Sequence, residues 1–134
     1  MRRVEKREAL GVRREGRKHY DLVLWQQAML LVKHVYEVTR VFPAEEKFGL
    51  ISQMRRAAIS VPSNIAEGAA RQTNKEFIQF LVIARGSLSE LDTQFLLAKD
   101  LAFTPGQPEL DNQIDRVFGL LGGLLNSLQN KGKP

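Results

Sequence analysis

The chain has 134 residues, of which 43% are hydrophobic and 26% charged, proportions that are ordinary for one soluble globular domain. It contains no cysteine, so disulfides, thiolate metal sites and thiol catalysis are excluded. No apolar run approaches the ~20 residues of a membrane-spanning helix, and no apolar segment typical of a signal peptide follows the N-terminal arginines. We therefore expect a cytoplasmic protein that does not contact a membrane.

The whole charge imbalance lies in residues 1–18, called the basic arm below. The arm has eight basic and three acidic side chains, a net charge of +5, whereas residues 19–134 have twelve of each sign. Charge blocks of this kind are usually solvated tails, and some of them bind nucleic acid. A wrongly assigned start codon is a third explanation. If the arm binds RNA or DNA, we expect contacts from the basic residues nearest the fold, which are Arg13, Arg14, Arg17 and Lys18.

The first predicted helix covers residues 21–40, with Asp21 as its N-cap. Apolar residues spaced three and four apart predict one buried stripe, which Ala28 and Val35 widen. Phe42 and Pro43 end the helix because a residue before proline avoids helical geometry. The predicted stripe consists of Leu22, Trp25, Met29, Val32 and Tyr36.

The second predicted helix begins near Glu45 and Glu46, whose charges suit the positive N-terminal end of a helix dipole. Pro62 lies inside this helix. Because the apolar spacing continues on both sides of the proline, we expect a kink there rather than a break. Gly68 and a polar run end the helix. Its predicted stripe consists of Leu50, Met54, Ala57, Ala58, Val61, Ile65 and Ala69.

The third predicted helix begins at a capping box, in which Thr73 caps forward and Glu76 reaches back. Apolar spacing extends the helix to about Leu101, where a loop containing two prolines and a glycine follows. The predicted stripe consists of Phe77, Phe80, Leu81, Ala84, Leu88, Leu91, Phe95 and Ala98.

The fourth predicted helix follows this loop and ends near residue 129. Gly119, Gly122 and Gly123 weaken it by about 1 kcal/mol each relative to alanine. We expect close approach of a neighbouring helix to explain them. The predicted stripe consists of Leu110, Ile114, Val117, Phe118, Leu121, Leu124, Leu125 and Leu128.

Four amphipathic helices with short connections predict an all-α fold, an antiparallel up-down-up-down four-helix bundle at residues 19–129. Residues 130–134 are a polar tail. Apolar residues outside the stripes of the third and fourth helices indicate a second buried face and hence self-association, although scattered surface leucines are also common. These residues are Val82, Ile83, Leu96, Leu97 and Leu120.

No combination of residues predicts a reaction. His19 and His34 have no acidic or histidine partner at metal-ligand spacing, so we expect no metal and no cofactor. The glycines of the fourth helix lack the lysine and the preceding strand of a phosphate loop. We therefore expect that the protein is not an enzyme. The enzymatic alternative is a metal-dependent site for nucleic acid, with Glu67 and Glu90 as the available carboxylate pair.

Residues 53–68 form the most unusual segment. Polar residues four, four and three positions apart share one face of the second helix, and a matching polar set lies on the third helix. We expect a structural network in which Arg56 pairs with Glu67 or Glu90. A ligand or nucleic-acid contact and catalysis are the alternatives. The two sets are Arg56, Ser60, Asn64 and Glu67 on the second helix and Arg85, Ser87 and Glu90 on the third.

The chain resembles the four-helix-bundle proteins encoded within intervening sequences of 23S ribosomal RNA genes, over roughly residues 19–129. The most specific part is the run Ser-Val-Pro-Ser-Asn-Ile-Ala-Glu-Gly at residues 60–68. The other matching residues are Tyr20-Asp21-Leu22, Trp25-Gln26, Ala28, Phe42-Pro43, Glu46, Gln53, Arg56-Ala57, Ala84-Arg85-Gly86-Ser87-Leu88 and Glu90-Leu91.

This resemblance implies a cytoplasmic bacterial protein whose bundles assemble as homopentameric barrels. A related branch of the fold family, the accessory protein of diversity-generating retroelements, binds reverse transcriptase and nucleic acid. The resemblance supplies no catalytic residues, and the basic arm lies outside it. The signature residues that it implies, without an assigned role, are Arg56, Ser60, Pro62, Asn64, Glu67, Gly68, Ser87 and Glu90.

Taken together, these features predict a homo-oligomeric scaffold, pentameric by resemblance, that associates with RNA or DNA through its basic arm. The alternative is a protein-interaction scaffold whose exposed apolar helix faces dock a partner protein without binding nucleic acid.

Overall fold

The computed structural model describes residues 17–131, which form four α-helices and two short 3₁₀ helices without any strand. The all-α prediction is therefore confirmed for this part of the chain. None of these helices combines the length and the apolarity needed to cross a membrane. The elements are the 3₁₀ helix Lys18–Asp21, α1 (Val23–Thr39), the 3₁₀ helix Ala44–Glu46, α2 (Leu50–Ala69), α3 (Asn74–Asp100) and α4 (Pro108–Asn130).

The four helices enclose one apolar core. Helix α1 packs against α2 and α4, and α3 packs against the same two helices from the other side. The predicted stripes of α2, α3 and α4 supply most of this core, and Ile65, Leu88 and Leu121 at their centres are completely buried. Burial of such side chains stabilises a domain by about 1.5–3 kcal/mol each.

The core face of α1 differs from its prediction. The predicted stripe is only partly buried: Trp25 and Val32 pack at the edge of the core, and Met29 is exposed. Ala28 and Val35, which are predicted to widen this stripe, are completely buried, as expected. They belong to a second apolar stripe that faces the core, rotated by about one residue, or ~100°, around the helix axis. Both stripes have helical spacing, so only the positions of α2 and α4 select between them. The buried stripe consists of Leu24, Ala28, Leu31, Val35 and Val38.

Two predicted helix starts are wrong. Leu22, not Asp21, is the N-cap of α1, because Asp21 belongs to the preceding 3₁₀ helix. Helix α2 begins at Leu50, because Ala44–Glu46 form a separate 3₁₀ helix. The acidic charge still serves this terminus, since Glu46 Oε1 accepts a hydrogen bond from the Leu50 backbone N–H at 3.0 Å.

The predicted Thr73 cap at the start of α3 is confirmed, whereas the contact of Glu76 is with the Thr73 hydroxyl rather than with the backbone N–H of a capping box. Thr73 Oγ1 accepts a hydrogen bond from the Glu76 backbone N–H at 3.2 Å, which satisfies one free donor of the first helical turn. The Glu76 carboxylate reaches back and accepts from the same Thr73 hydroxyl, also at 3.2 Å. Helix α3 therefore has a firmly defined first turn.

Close helix approach occurs at a glycine of α2 and not at those of α4. A Cβ atom on Gly68 would lie 2.7 Å from Phe80 Cβ and 2.9 Å from Phe77 Cδ1. By contrast, the glycines of α4 are exposed, and a Cβ atom on any of them would meet nothing within 4 Å. We expected close approach of a neighbouring helix to explain Gly119, Gly122 and Gly123. For helices of the same chain, this prediction is wrong.

Helix α2 is unbroken through Pro62, so the prediction that the proline does not end the helix is confirmed, while the kink stays a prediction. Proline removes one backbone donor, so the carbonyl of Ala58 loses its normal helical partner. The proline ring itself is buried, and apolar residues of α2 continue in phase on both sides of it. Packing against α1 and α3 therefore outweighs the cost of the lost hydrogen bond.

We expect Gly68→Ala to lower the free energy of unfolding by about 1–3 kcal/mol, because the added methyl group overlaps the two phenylalanines. The matched control is Gly86→Ala on α3, where the new methyl group meets nothing and the higher helix propensity of alanine adds up to ~1 kcal/mol. Urea unfolding followed by circular dichroism measures both changes. Equal midpoints for the two variants would contradict the close packing at Gly68.

Candidate nucleic-acid interface

The basic arm joins the fold beside the first turns of α1. Arg17 and Lys18 are exposed, and the 3₁₀ helix that begins at Lys18 packs against both α1 and α2. Two further predicted contact residues, Arg13 and Arg14, lie outside the described residues. The structure therefore places the two arm cations that it describes at the end of the molecule where α1 begins and α2 ends.

A cavity at this end, called the end pocket below, is lined by three cations. It has a volume of about 270 Å³, and its basic side chains are Lys18, Arg71 after α2 and Lys131 after α4. The Arg71 guanidinium is partly neutralised, because its Nη2 lies 3.1 Å from Glu67 Oε2, and it also lies 4.8 Å from the Phe80 ring centroid. No acidic side chain is among the described residues that line the pocket, so its lining suits an anion.

An apolar groove of about 490 Å³ runs between α1 and α2 next to the arm. Three side chains from the stripe of α1 that does not face the core, those of Trp25, Met29 and Val32, line this α1–α2 groove. The lining side chains with polar groups are His19, Lys33, Ser63 and Trp25, the last through its indole N–H. Its apolar walls are Trp25, Met29 and Val32 from α1 and Ile59, Pro62 and Ala66 from α2.

Aromatic rings lie at the arm end of this groove. The Trp25 ring is stacked on Tyr20, with centroids 5.2 Å apart and planes 14° from parallel. His19 meets Trp25 edge-on, with centroids 5.0 Å apart. Such contacts are worth ~0.5–1.5 kcal/mol each beyond the buried area, so they hold the indole in a defined orientation beside the arm.

The opposite end of the same helix pair is closed by an arginine. The Arg55 guanidinium lies 4.3 Å from the Tyr36 ring centroid, and its Nε donates to Thr39 Oγ1 at 2.8 Å. Thr39 in turn donates to the carbonyl of Val35 at 2.8 Å. These contacts fix the spacing of α1 and α2.

Three of the predicted signature residues form a hydrogen-bonded cluster between α2 and α3. Ser60 Oγ and Ser87 Oγ lie 2.8 Å apart. The Asn64 side chain donates to Ser60 Oγ at 3.0 Å and to the Ser60 carbonyl at 2.8 Å. The cluster is half-buried, so both serine hydroxyls and the Asn64 amide nitrogen gain protein partners where water has limited access.

The charged signature residues lie outside this cluster. Arg56, Glu67 and Glu90 are all exposed, and the ion pair of Glu67 is with Arg71, one turn further along the chain. The two buried signature residues serve packing, since Pro62 lines the α1–α2 groove and Gly68 admits the two phenylalanines of α3. The hydrogen bonds across the α2–α3 contact thus come from small neutral side chains.

Among residues 17–131, no group of three or more histidine, aspartate or glutamate side chains lies close enough to hold an ion. The prediction that His34 has no acidic partner is wrong, because Glu37 follows it by three residues on the same helix and lies 3.9 Å from it. Glu67 and Glu90, the candidate carboxylate pair, are both exposed.

Comparison with protein families supplies the identity of the fold. The model described as "23S rRNA-intervening sequence protein" matches residues 20–123. The chain belongs to this family. The match begins after Lys18 and ends at Gly123, so the basic arm and the last turns of α4 in this 23S rRNA-intervening sequence protein lie outside it. No curated protein matches the chain.

Sequence reasoning missed several residues of this interface. Arg71, Lys131 and Lys33 are single cations in different parts of the chain, and local spacing gives no reason to group them. Trp25 was assigned to the core stripe, although the existence of two apolar stripes on one helix was a usable signal. The end pocket and the α1–α2 groove both depend on which helices become neighbours.

We expect Ser60 and Ser87 to be energetically coupled in this family member. A double-mutant cycle of Ser60→Ala and Ser87→Ala should give a coupling free energy of about 1 kcal/mol, the net value of one hydrogen bond. The control cycle uses Ser63→Ala and Ser89→Ala, two exposed serines of the same helices. Equal coupling in both cycles, measured by urea unfolding, would contradict the Ser60–Ser87 bond.

Proposed function

We propose that this 23S rRNA-intervening sequence protein is a non-enzymatic, cytoplasmic scaffold. Its four helices form an antiparallel up-down-up-down bundle, several copies assemble into a homo-oligomeric ring, and the ring associates with RNA or DNA through the basic arms. The observation that carries the proposal is the charge distribution, a near-neutral fold with a +5 arm at one end.

The contact pattern supports the antiparallel bundle. Helices that follow one another in the chain pack together, and α1 also packs on α4. The connections between helices are short, which favours antiparallel neighbours. A hydrogen bond from Gln113 Nε2 to the carbonyl of Gln27, at 2.9 Å, joins the last helix to the first.

Self-association is supported by an apolar face on the outside of α3. Its four large aliphatic side chains are between 42% and 56% exposed in the single chain. They form two adjacent pairs about four turns, or ~21 Å, apart along the helix, with the exposed polar residues Ser89, Glu90 and Thr93 between them. Exposed apolar patches bordered by polar residues are typical of an interface. The residues are Val82, Ile83, Leu96 and Leu97.

The outer face of α4 lacks side chains at three positions. Gly119, Gly122 and Gly123 leave it flat, at a cost of roughly 1 kcal/mol each in helix propensity that no contact within residues 17–131 offsets. We propose that the apolar face of α3 packs on this flat face of the next copy. Contacts between two different faces are heterologous and close into a ring when the rotation allows it. Five copies is the number that the family resemblance implies.

Nucleic-acid association is supported by the basic residues at the arm end. Each copy brings a +5 arm, and Lys18 lies next to Arg71 and Lys131 in the end pocket. A ring repeats this cationic surface, and phosphate binding by such a surface releases counterions. Phosphate contacts position a nucleic acid without reading its sequence, so we propose no sequence specificity.

The arm is tested by a binding titration with structured RNA at two salt concentrations. We expect the full chain to bind, with an affinity that falls steeply as salt rises, and a chain beginning at His19 to bind at least tenfold more weakly. Circular dichroism and the mass in solution must be the same for both chains. Equal and negligible binding by the two would remove the nucleic-acid proposal.

The assembly is tested by changing the apolar face of α3. We expect Leu96→Glu combined with Leu97→Glu to reduce the mass in solution to that of one copy, because two buried carboxylates would each cost several kcal/mol. The control is Phe48→Glu, which removes an apolar side chain that is 86% exposed in the α1–α2 connection. Light scattering measures the mass, and circular dichroism checks the helices.

If the unsubstituted protein has the mass of a single copy in solution, the ring proposal is wrong. The same exposed face of α3 would then favour the second candidate function, a scaffold that docks a partner protein. That function predicts binding with little dependence on salt.

A further inference from the structure

We propose that the arm end of the protein binds single-stranded nucleic acid, with an unstacked base in the α1–α2 groove and a neighbouring phosphate in the end pocket. This inference rests on the proposed association with RNA or DNA. It adds a class of ligand, single strands, and a place on the fold where a base and the backbone are held.

The groove has the dimensions and surface of a site for a flat aromatic group. Its volume of about 490 Å³ lies within the usual range of ligand pockets, and its walls are aliphatic or aromatic apart from a few polar atoms. Trp25 contributes an indole that Tyr20 and His19 hold in place by ring contacts. A base inserted here removes apolar surface from water on both sides.

The surrounding charge identifies the occupant as an anion. Lys33 lies at the groove, Lys18, Arg71 and Lys131 line the end pocket, and none of the described residues lining either cavity is acidic. Glu67 pairs with Arg71 but is itself exposed, and within residues 17–131 neither Lys18 nor Lys131 forms an ion pair. The occupant must therefore combine negative charge with apolar aromatic surface.

The two cavities are close enough for one nucleotide and its neighbour. Lys18 lines the end pocket and His19, the next residue, lines the groove. Successive Cα atoms are about 3.8 Å apart, so each cavity is lined by a residue next to one that lines the other. Alternation of a cationic track with an aromatic platform is how proteins bind single strands without sequence preference.

The same geometry disfavours a duplex. Bases in a duplex are paired and stacked on one another, so none can enter a groove between two helices without being unstacked. The phosphates of a duplex remain available to the basic arm. The groove therefore distinguishes single strands from duplexes, whereas the arm attracts both.

The chain contains one tryptophan, so Trp25 reports on its own site. The test titrates the full chain with short oligouridine and with an RNA duplex of the same length, following tryptophan fluorescence and, separately, the anisotropy of a label on the RNA. We expect oligouridine to quench Trp25 with the same midpoint as the anisotropy change. We expect the duplex to change the anisotropy without quenching.

Ile59→Glu tests the groove without removing the reporter, because Ile59 is a groove residue that is 43% exposed. The matched control is Leu30→Glu, which is 38% exposed on α1 outside the groove and adds the same charge. We expect Ile59→Glu to weaken oligouridine binding about tenfold, the effect of one lost stacked base, and to abolish quenching. The control should stay within about twofold of the unsubstituted chain.

The end pocket is tested by Lys131→Gln, with Lys47→Gln in the α1–α2 connection as its control. The logarithm of the affinity falls linearly as the logarithm of the salt concentration rises. Loss of one phosphate contact should make this line less steep by about 0.7 for a single strand. We expect that change for Lys131→Gln and an unchanged slope for Lys47→Gln.

The outcomes separate this inference from the function on which it rests. Binding of oligouridine and duplex with equal affinity and no fluorescence change would overturn the groove site while leaving arm-mediated association intact. Equal effects of Ile59→Glu and Leu30→Glu would overturn it as well. Absence of binding to any RNA by the full chain would overturn both.

Discussion

The contact between α2 and α3 at Gly68 is the constraint on which the arm end of the molecule depends. Without a side chain at this position, the Cβ and ring atoms of Phe80 and Phe77 reach the α2 backbone. The turn that follows is short, and the Thr73 cap starts α3 at once. This tight connection places Arg71 beside Lys18 and Lys131, so the end pocket is a consequence of a packing requirement.

Further along the same two helices, the contact is polar but uncharged. Ser60, Asn64 and Ser87 satisfy one another over distances of 2.8–3.0 Å. A buried ion pair at this place would have required desolvation of two charges, which costs several kcal/mol per ion. Small neutral side chains form directional hydrogen bonds between the two helices at a lower desolvation cost. The charged residues Arg56, Glu67 and Glu90 remain at the surface.

Helix α1 connects the packing to the proposed function because it has two apolar faces. One face contributes Leu31 and Val35 to the core, and the other presents Trp25 and Met29 to the α1–α2 groove. Packing of the core uses only the first of these two faces. Together with the cations of the arm end, this surplus of apolar surface is the feature that the proposed single-strand site explains.

Local sequence signals determined the class of the fold, the extents of α3 and α4, the buried stripes of α2, α3 and α4, and the Thr73 cap. These features depend on residues within a few turns of one another, where spacing and capping are sufficient. The tertiary structure alone decided which stripe of α1 is buried, which glycine marks a close approach, and which cations meet in the end pocket. Each of these depends on which surfaces become neighbours, and a one-dimensional pattern contains both acceptable stripes of α1 without ranking them.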